Sequence, residues 1–531
     1  MLRMDLPHGP LRSGLLDHYR IHRESAVPKK QADVALTLGP RPHGATLLRW
    51  LYDGIRTGII EGRLAPGARL PSTRTIARQN GLARGTVVAA FDHLVAEGYL
   101  EGAVGNGTFV RRMTPGPPAG QGARAKVRAT SLPSLSARGR RLAGHPFPFP
   151  SGGGEVSLFR LDFPALEAFP ISICGRIAAQ CLRRDAPGLL RHGDTQGFRP
   201  LREAIAQHVG LTRGVKCDAQ QVIITAGTQP SLDLIARLVL DPGDRVWMED
   251  PGYSAASSLL RAAGAELVGV PVDEEGIDCE AGRRRCRTAK LVYLTPNCQF
   301  PLGCSLSLPR RLALLDWAGE AGAWVFEDDY DGQLGFDGRP LAALRSLDRA
   351  GCVVYSNSFS KMLFPSLRLG YLIVPPRLAE AARAARSVLQ RFPPVLDQAT
   401  LAEFIVQGHM EQHMRRMREL YTERVETLMR RAARDLPDVL TLSAPAAGLQ
   451  VVGWLARGID AGQASRLALA RGIYAIPLSS LTLDRTLPPA LVFGSASTEV
   501  RAIPRALGRL GTLLRELQSA GPGARGASGP H

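Results

Sequence analysis

One stretch of the chain does not have the composition of a folded core, and it divides the sequence in two. Residues 112–150 are rich in Pro, Gly, Ser, Ala and Arg and contain few large apolar side chains. Such a segment buries too little apolar surface to offset the entropy that is lost on folding. The chain has 531 residues, which is long for a single hydrophobic core. We therefore predict two folded parts joined by a flexible basic linker at 112–150.

Positive charge is concentrated towards the N-terminus. Residues 1–110 contain 14 basic and 9 acidic side chains, and residues 111–150 contain 8 basic side chains and no acid, within a net charge of +18. A local surplus of this kind favours contact with a polyanion such as DNA. The alternative for residues 111–150 is a solvated linker that is rich in arginine.

Several classes of protein are disfavoured by what the sequence lacks. No stretch approaches the roughly 18 apolar residues of a membrane span, and no basic segment followed by an apolar one marks a secretory signal at the N-terminus. The 8 cysteines are scattered without a CxxC pair, which favours reduced thiols over disulfides or a zinc site. We expect a cytoplasmic protein with no membrane partner and no bound metal.

The first folded part has the pattern of three helices and a hairpin. Residues 1–43 show no clear hydrophobic period, so we expect a poorly ordered extension with at most a short strand at 34–38. A helical pattern begins near Thr46, Ser72 is suited to capping a second short helix, and a third helix begins near Arg84. Two short strands follow around a glycine-rich tip. This order predicts a winged helix-turn-helix at 44–111.

Four motifs within residues 47–110 are specific enough to name a family. They are Leu70-Pro71-Ser72-x-Arg74, Arg84-Gly85-Thr86-Val87, Glu97-Gly98-Tyr99-Leu100 and Gly105-Asn106-Gly107-Thr108-Phe109-Val110. Together they resemble a GntR-type winged helix, which implies double-stranded operator DNA as a partner.

The helix beginning at Arg84 is expected to lie in the major groove, where Arg84 can bond guanine and Thr86 a base or phosphate. Arg74 is expected to clamp a phosphate, and the glycine tip lets the wing approach the minor groove. Solvated surface arginines are the alternative interpretation of each basic residue. The predicted DNA-binding residues are Ser72, Arg74, Arg84, Gly85, Thr86, Gly105, Gly107 and Thr108.

The second folded part alternates helices with short apolar strands. The predicted strands are 222–225, 245–248, 266–271, 291–294, 324–327, 353–356 and 369–374. Such alternation is typical of a largely parallel α/β sheet. A final α+β portion from about 394 to 517 completes a domain that we place at 151–518, followed by a disordered tail at 519–531.

The chemistry of this domain is suggested by one lysine. Lys361 lies in the segment Ser358–Arg368, about thirty residues after the acidic sequence Glu327–Tyr330. A lysine can form a Schiff base with an aldehyde, an arginine can pair with a phosphate, and a carboxylate can keep a pyridinium nitrogen protonated. The spacing therefore predicts a site for pyridoxal 5'-phosphate.

Further motifs carry a second resemblance, over residues 155–517. They are Arg191-His192-Gly193-Asp194-x-x-Gly197, Thr225-Ala226-Gly227-Thr228-Gln229, Glu249-Asp250-Pro251-Gly252-Tyr253, Thr295-Pro296-Asn297-Cys298-Gln299-Phe300-Pro301, Glu327-Asp328-Asp329-Tyr330-Asp331 and Ser358-Phe359-Ser360-Lys361. This part resembles fold-type I aminotransferases. The whole chain, a winged helix followed by an aminotransferase-like domain, resembles the MocR/GabR family of transcriptional regulators.

Chemistry and resemblance together imply the roles of the pocket residues. Lys361 is expected to hold the cofactor covalently, and Asp328 to pair with its pyridinium nitrogen. Tyr253 is expected to stack on the ring, while Tyr330 and Asn297 approach its phenolic oxygen. The phosphate is expected to rest at a helix N-terminus, held by Gly227, Thr228, Gln229, Arg368, Ser358 and Ser360. No catalytic residue and no metal ligand is assigned.

Some positions depart from the family pattern. Transaminases hold the substrate carboxylate with an arginine near the C-terminus, and the matching segment, Leu491–Ala496, contains none. Ala255 stands where members that sense γ-aminobutyrate have an arginine, His192 where a tyrosine is common, and Cys298 where a histidine is common. Because a buried carboxylate without a cationic partner is disfavoured by several kcal/mol, the expected effector is pyridoxal phosphate itself or an amine without a carboxylate.

Three functions remain open from the sequence. The first is a transcription factor that responds to pyridoxal phosphate or an amine, and its resemblance implies a head-to-tail homodimer. A flexible linker of 112–150 would reach about 31–37 Å, which permits that arrangement. The second is an aminotransferase with an accessory DNA-binding domain, although the missing arginine argues against efficient turnover. The third is a DNA-binding protein whose pocket binds nothing.

Overall fold

The computed structural model describes residues 36, 38–103, 107–112, 134–146, 158–161, 163–334, 342–445 and 449–520. The chain divides into two compact units, Met1–Leu132 and Pro133–His531. The division falls within the segment that we predicted as a linker. Gly105 of the predicted wing, residues 1–35 of the predicted extension and the predicted tail beyond residue 520 lie outside the described residues.

The first unit is built from three helices and a hairpin. These are α1 Leu47–Ile60, α2 Thr73–Gln79, α3 Arg84–Ala96, β1 Leu100–Ala103 and β2 Gly107–Val110, the strands antiparallel. The helix starts follow from their caps, since Thr46 accepts a hydrogen bond from the Arg49 amide and Ser72 accepts one from the Thr75 amide at 3.1 Å. Buried apolar side chains from all three helices form the core.

The expected poorly ordered extension is wrong for its last residues. Leu36 and Leu38 pack against the core of the first unit, and the Trp50 indole N–H donates to the Gly39 carbonyl at 2.9 Å. The side chains of Leu36 and Leu38 gain apolar burial there, which outweighs the local Gly and Pro content. Neither residue lies in a strand.

The expected flexible linker also needs a correction. Residues Ala137–Gly144 form a helix, α4, which Ser136 caps by accepting from the Gly139 amide at 3.0 Å. All its residues except Gly139 are exposed, so its apolar content gave no sign of it. Its Arg141 guanidinium lies beside Gly264 of the second unit, so this part of the segment belongs to that unit.

The main sheet of the second unit has eight strands. They are β3 Val222–Thr225, β4 Arg245–Asp250, β5 Glu266–Asp273, β6 Gly276–Ile277, β7 Leu291–Leu294, β8 Trp324–Asp328, β9 Val353–Ser358 and β10 Gly370–Ile373. Their order across the sheet is β3-β10-β9-β8-β7-β4-β5-β6. The pairs from β9 to β5 are parallel, and β10 runs antiparallel to both of its neighbours.

Helices cover both faces of this sheet. They are α5 Ile171–Leu189, α6 Arg199–Arg213, α7 Thr228–Val239, α8 Ser254–Ala263, α9 Cys279–Arg285, α10 Leu308–Ala321, α11 Phe359–Met362, α12 Pro376–Leu389 and α13 Val395–Val406. Strands such as β3 and β7 are buried along their whole length, as expected for parallel strands with helices on both sides.

A smaller antiparallel sheet completes the unit. It contains β11 Leu440–Leu442, β12 Gln450–Leu455, β13 Ile476–Pro477 and β14 Ala490–Gly494, in the order β11-β12-β14-β13. It packs with the helices α14 His409–Asp435, α15 Ala461–Ala470 and α16 Ile503–Ala520. The predicted fold class, a winged helix joined to an α/β domain with a final α+β portion, is confirmed. Among the described helices, none has the length and apolar character that crossing a membrane requires.

Candidate functional site

Five parallel strands end at the same edge of the main sheet, and the predicted pocket residues lie there. Gly227 follows β3, Tyr253 follows β4 and Asn297 follows β7. Asp328 ends β8, and Lys361 lies on α11 directly after β9. The crevice beyond the carboxyl ends of the strands is where open α/β sheets bind ligands.

Gly227 shapes the turn between β3 and α7. Its φ is 112°, a conformation that a side chain would strain. A Cβ at Gly227 would lie 3.8 Å from Ser358 Oγ and 3.9 Å from Arg368 Nη1, and a Cβ at Gly370 would lie 2.8 Å from Gly227 Cα. A hydroxyl and a guanidinium therefore converge on the N-terminus of a twelve-residue helix, which is a favourable place for an anion.

Polar side chains gather near this helix end. Gln229 Nε2 is buried, and the Gln229 side chain interacts with the Tyr253 hydroxyl. Ser358 caps α11 by accepting from the Ser360 amide at 3.3 Å. The Arg368 side chain is exposed, on a residue with φ of 48°. These donors fit a phosphate group.

Lys361 is half-buried and faces the chain segment that enters the second unit. Its Nζ donates to the Leu161 carbonyl at 2.6 Å. The charge of Lys361 lowers the pKa of the buried Asp331. The lysine thus lies at the sheet edge near the carboxyl group of Asp331.

Asp328 is buried, and two hydroxyl groups lie within hydrogen-bonding distance of its carboxyl oxygens. Tyr293 donates to its Oδ2 at 2.7 Å, and the Thr228 hydroxyl lies 3.4 Å from its Oδ1. Burial above all, and also the nearby Asp329, raise the pKa of Asp328, the hydrogen bonds from Tyr293 and Thr228 lower it, and the net result is a pKa of about 7. The pKa of the Asp328 carboxyl group is therefore close to neutral pH.

The neighbouring Asp329 faces a different set of partners. Arg213, which is fully buried, forms two hydrogen bonds to it, from Nε at 2.8 Å and from Nη2 at 2.9 Å. Tyr355 donates to the same carboxylate at 2.6 Å, and Asn297 Nδ2 does so at 2.9 Å. Sequence reasoning overlooked Arg213 because it lies 116 residues from its partner.

Asn297 is engaged within this network. Its Nδ2 donates to Asp329, and its Oδ1 accepts from Arg311 Nη2 at 2.9 Å. The predicted contact with a phenolic oxygen would need the second hydrogen of Nδ2. That role stays a prediction.

Tyr330 is also already hydrogen-bonded. Its hydroxyl donates to the Cys298 carbonyl at 3.2 Å and accepts from Gln450 Nε2 at 2.6 Å. Gln450 lies 3.5 Å from Cys298 Sγ as well. Tyr330 would have to release the Cys298 carbonyl in order to donate to a ligand, so its predicted role stays a prediction. Gln450 comes from β12 of the smaller sheet, and no motif of the sequence pointed to it.

Tyr253 lies at the predicted stacking position. It is half-buried and packs edge-to-face with Phe300, with ring centroids 5.7 Å apart. Burial and the nearby Asp328 raise the pKa of its hydroxyl, so the ring stays neutral.

Two positions that depart from the family pattern lie elsewhere. Ala255, where other family members have an arginine, is buried within α8. His192 is exposed, and its ring centroid lies 5.9 Å from that of Phe392.

The first unit presents a basic surface around the start of α3. Arg84 is the first residue of that helix, and Arg74 lies in the first turn of α2. Both side chains are exposed and form no hydrogen bond or ion pair with any residue that the structure describes. A Cβ at Gly85 would meet nothing within 4 Å, so this face is open to a partner, while Thr86 is half-buried.

The wing lies against a further arginine. Gly107 has a φ of 102°, and a Cβ there would lie 3.0 Å from Arg69 Nε. The Thr108 carbonyl accepts from the Leu70 amide at 2.9 Å, which joins the wing to the segment before α2. Arg69, in the segment before α2, is a basic residue beside the wing that the sequence reasoning did not single out.

Comparison with known proteins covers both units. Residues 167–505 match the family described as aminotransferase class I and II, and residues 49–110 match the bacterial regulatory proteins of the gntR family. The chain is 37% identical to the "Probable rhizopine catabolism regulatory protein MocR" of Rhizobium meliloti, over 89% of this chain and 94% of that protein. It is 31% identical to the pyridoxine biosynthesis transcriptional regulator PdxR of Corynebacterium glutamicum, over 77% of this chain and 83% of that protein.

Solved structures resemble the second unit. The alpha-aminoadipate aminotransferase LysN of Thermus thermophilus, complexed with N-(5'-phosphopyridoxyl)-L-leucine, shares 29% identity with a TM-score of 0.64. The match covers 68% of this chain and 93% of that one.

Replacing Asp328 should change how stability depends on pH. A carboxyl whose pKa is about 7 in the folded chain and about 3.9 when unfolded stabilises the fold below pH 4, and that contribution is lost as the pH rises through about 7. Between pH 5 and pH 8, the ligand-free protein should therefore lose more free energy of unfolding than Asp328→Asn does. Denaturant titrations at both pH values measure this. The exposed Asp316→Asn is the control and should behave as the wild type, whereas equal losses in all three proteins contradict the expectation.

Proposed function

The chain belongs to the MocR/GabR family of transcriptional regulators, which join a gntR-type winged helix to an aminotransferase class I and II fold, and we propose that ligand chemistry at Lys361 controls its binding to operator DNA. The observation that carries this proposal is the presence of two sites with intact chemistry in one chain. One is the lysine and anion site at the sheet edge, and the other is the open basic face of α3. Operator binding is the output, and pyridoxal phosphate is the cofactor.

The residues at the sheet edge fit pyridoxal phosphate. The N-terminus of α7, its glycine turn and the Arg368 guanidinium suit the phosphate. Asp328 suits the pyridinium nitrogen, since it is a buried acid whose pKa is about 7. When bound, the cofactor supplies an aldehyde that bonds reversibly to primary amines, of which Lys361 is one.

The pocket favours an effector without a carboxylate. The strand that supplies an arginine in transaminases is β14, whose residues Ala490–Gly494 are buried and apolar. Asp331 is buried beside Lys361, and its Oδ2 has no hydrogen-bond partner among the described residues. Burial raises the pKa of Asp331 to about 8, so at neutral pH it is mostly a protonated acid, which can hydrogen-bond to an amine or a hydroxyl group. The effector is therefore pyridoxal phosphate itself or an amine without a carboxylate.

The family resemblance supports a proposal for the assembly and the location. We propose a head-to-tail homodimer in the cytoplasm, in which two winged helices bind two half-sites of an operator. The net charge of the first 150 residues supports association with DNA.

Lys361 should carry the cofactor covalently. Reconstitution with pyridoxal phosphate, followed by borohydride reduction and peptide mass mapping, should place the label on the peptide that contains Lys361. Lys361→Ala should show neither the label nor the visible absorption band of lysine-bound cofactor. A matched surface variant, Lys290→Ala, should keep both. A label on another lysine contradicts the site.

Arg84→Ala should weaken binding to the operator by about tenfold or more, because a bidentate arginine contact to guanine contributes about 1–3 kcal/mol of discrimination. The operator is first selected from random DNA with the wild type, and gel shifts compare it with a scrambled sequence. Arg63→Ala is the control, since Arg63 is an exposed arginine of the same unit that pairs with Glu61 at 2.9 Å. Unchanged discrimination by Arg84→Ala refutes the assignment.

The protein should not catalyse repeated transamination of amino acids. Because β14 offers no arginine for the α-carboxylate, we expect the substrate not to be held in reacting geometry, so the visible band of the reconstituted protein should persist when amino acids are added. Stopped-flow absorbance measures this, with an aminotransferase of known activity as the positive control. Rapid conversion to the pyridoxamine form with repeated turnover would favour the alternative function, an enzyme with an accessory DNA-binding domain.

A further inference from the structure

We propose that Tyr293 is a positioning residue for the cofactor, holding one oxygen of Asp328 so that the other faces the pyridinium nitrogen. The proposal rests on the proposed function, since it concerns the same pocket. It assigns a role to a residue that lies within the apolar strand β7.

Tyr293 is fixed by its surroundings. Its side chain is 0% exposed, and its ring stacks on Phe326 with centroids 5.8 Å apart and an interplanar angle of 16°. Its hydroxyl has one described partner, Asp328 Oδ2 at 2.7 Å. A buried ring that is held in this way can deliver its hydroxyl to one place only, which fixes the plane of the Asp328 carboxylate.

The second oxygen of Asp328 is held less firmly. Its neighbour is the Thr228 hydroxyl at 3.4 Å, a distance at which a hydrogen bond is weak. Thr228 is the first residue of α7, the helix whose N-terminus fits the phosphate. The oxygen on that side is thus the one that a ligand at this helix end can reach, and Tyr293 lies on the other side.

Tyr293 also suits the task electrostatically. Burial and Asp328 raise the pKa of Tyr293 well above its usual range, so its hydroxyl stays a donor. Donation to a carboxylate stabilises the ionised acid, and it opposes the effect of burial on Asp328. An ionised Asp328 is what a protonated pyridinium nitrogen requires. The other titratable groups near Asp328 are Glu249, Tyr253 and Asp329.

The structure offers a matched control two strands away in the same sheet. Tyr355 on β9 is also 0% exposed and donates to a carboxylate at 2.6 Å, but its acceptor is Asp329 and not Asp328. Tyr293→Phe and Tyr355→Phe each remove one buried hydroxyl from the same sheet. Only the first removes a hydrogen bond from the acid that is predicted to meet the cofactor.

The experiment reconstitutes wild type, Tyr293→Phe and Tyr355→Phe with pyridoxal phosphate. It measures the dissociation constant of the cofactor and the pH at which the visible band changes. Tyr293→Phe should weaken cofactor binding about tenfold or more, the effect of losing a hydrogen bond to a charged group, and should shift the pH at which the band changes. Tyr355→Phe should lower thermal stability and leave that pH where the wild type has it.

Two outcomes would overturn the proposal. One is a Tyr293→Phe protein that matches the wild type in cofactor affinity and in the pH profile of its band. The other is an equal shift of the band in both variants, which would show a general effect of losing a buried hydroxyl. Failure of the wild type to bind the cofactor would instead refute the proposed function.

An Asp328→Asn background gives a second test that does not rely on stability. Because Tyr293 acts through Asp328, Tyr293→Phe should cause no further loss of cofactor affinity once Asp328 is an asparagine. Losses that simply add would show that Tyr293 contributes by another route, and the proposal would fail. Far-UV circular dichroism of all variants confirms that the folded protein is being compared.

Discussion

The ion pair between Arg213 and Asp329 is the interaction on which the pocket depends. Both side chains are 0% exposed, and burying two charges is costly unless the geometry is good and further hydrogen bonds satisfy them. Here the pair is bidentate, and Tyr355 and Asn297 donate further hydrogen bonds to the Asp329 carboxylate. The network joins the end of α6 to the loop after β8. The two hydrogen bonds from Arg213 hold that loop, and with it the two residues on either side, Asp328 and Tyr330, whereas the Tyr355 hydroxyl adds to the stability of the pair.

Much of the fold could be predicted from the sequence because its strands are buried on both faces. All seven predicted strands are present, with ends that differ by at most two residues, since a run such as Leu291–Leu294 has no charged residue to obscure its limits. Helix α4 was missed because all but one of its residues are exposed and none is buried. The sequence motifs identified Lys361, Asp328 and Gly227, which lie at one edge of the main sheet. They could not reveal Arg213 or Gln450, whose partners are distant in the sequence.

The pocket combines features of an enzyme with a departure that suits a sensor. The proposed anion site and the acid proposed for the pyridinium nitrogen lie in an aminotransferase class I and II fold. Where transaminases carry an arginine for the substrate carboxylate, this chain has the apolar strand β14, and the buried Asp331 lies near Lys361. A ligand shifts a conformational equilibrium by its differential affinity for the two states and only while it is bound, so a ligand that is not converted and released can keep its effect. The same fold can therefore serve recognition instead of turnover.

The two adjacent acids at the end of β8 have different partners because successive residues of a strand point to opposite sides. Asp328 contacts Tyr293 and Thr228, and Asp329 contacts Arg213. Removal of a single amino acid just before them would shift Asp329 to the place of Asp328 and Tyr330 to the place of Asp329, which would leave the buried guanidinium of Arg213 without its carboxylate. Evolution can vary side chains around this loop, but it cannot readily alter its length.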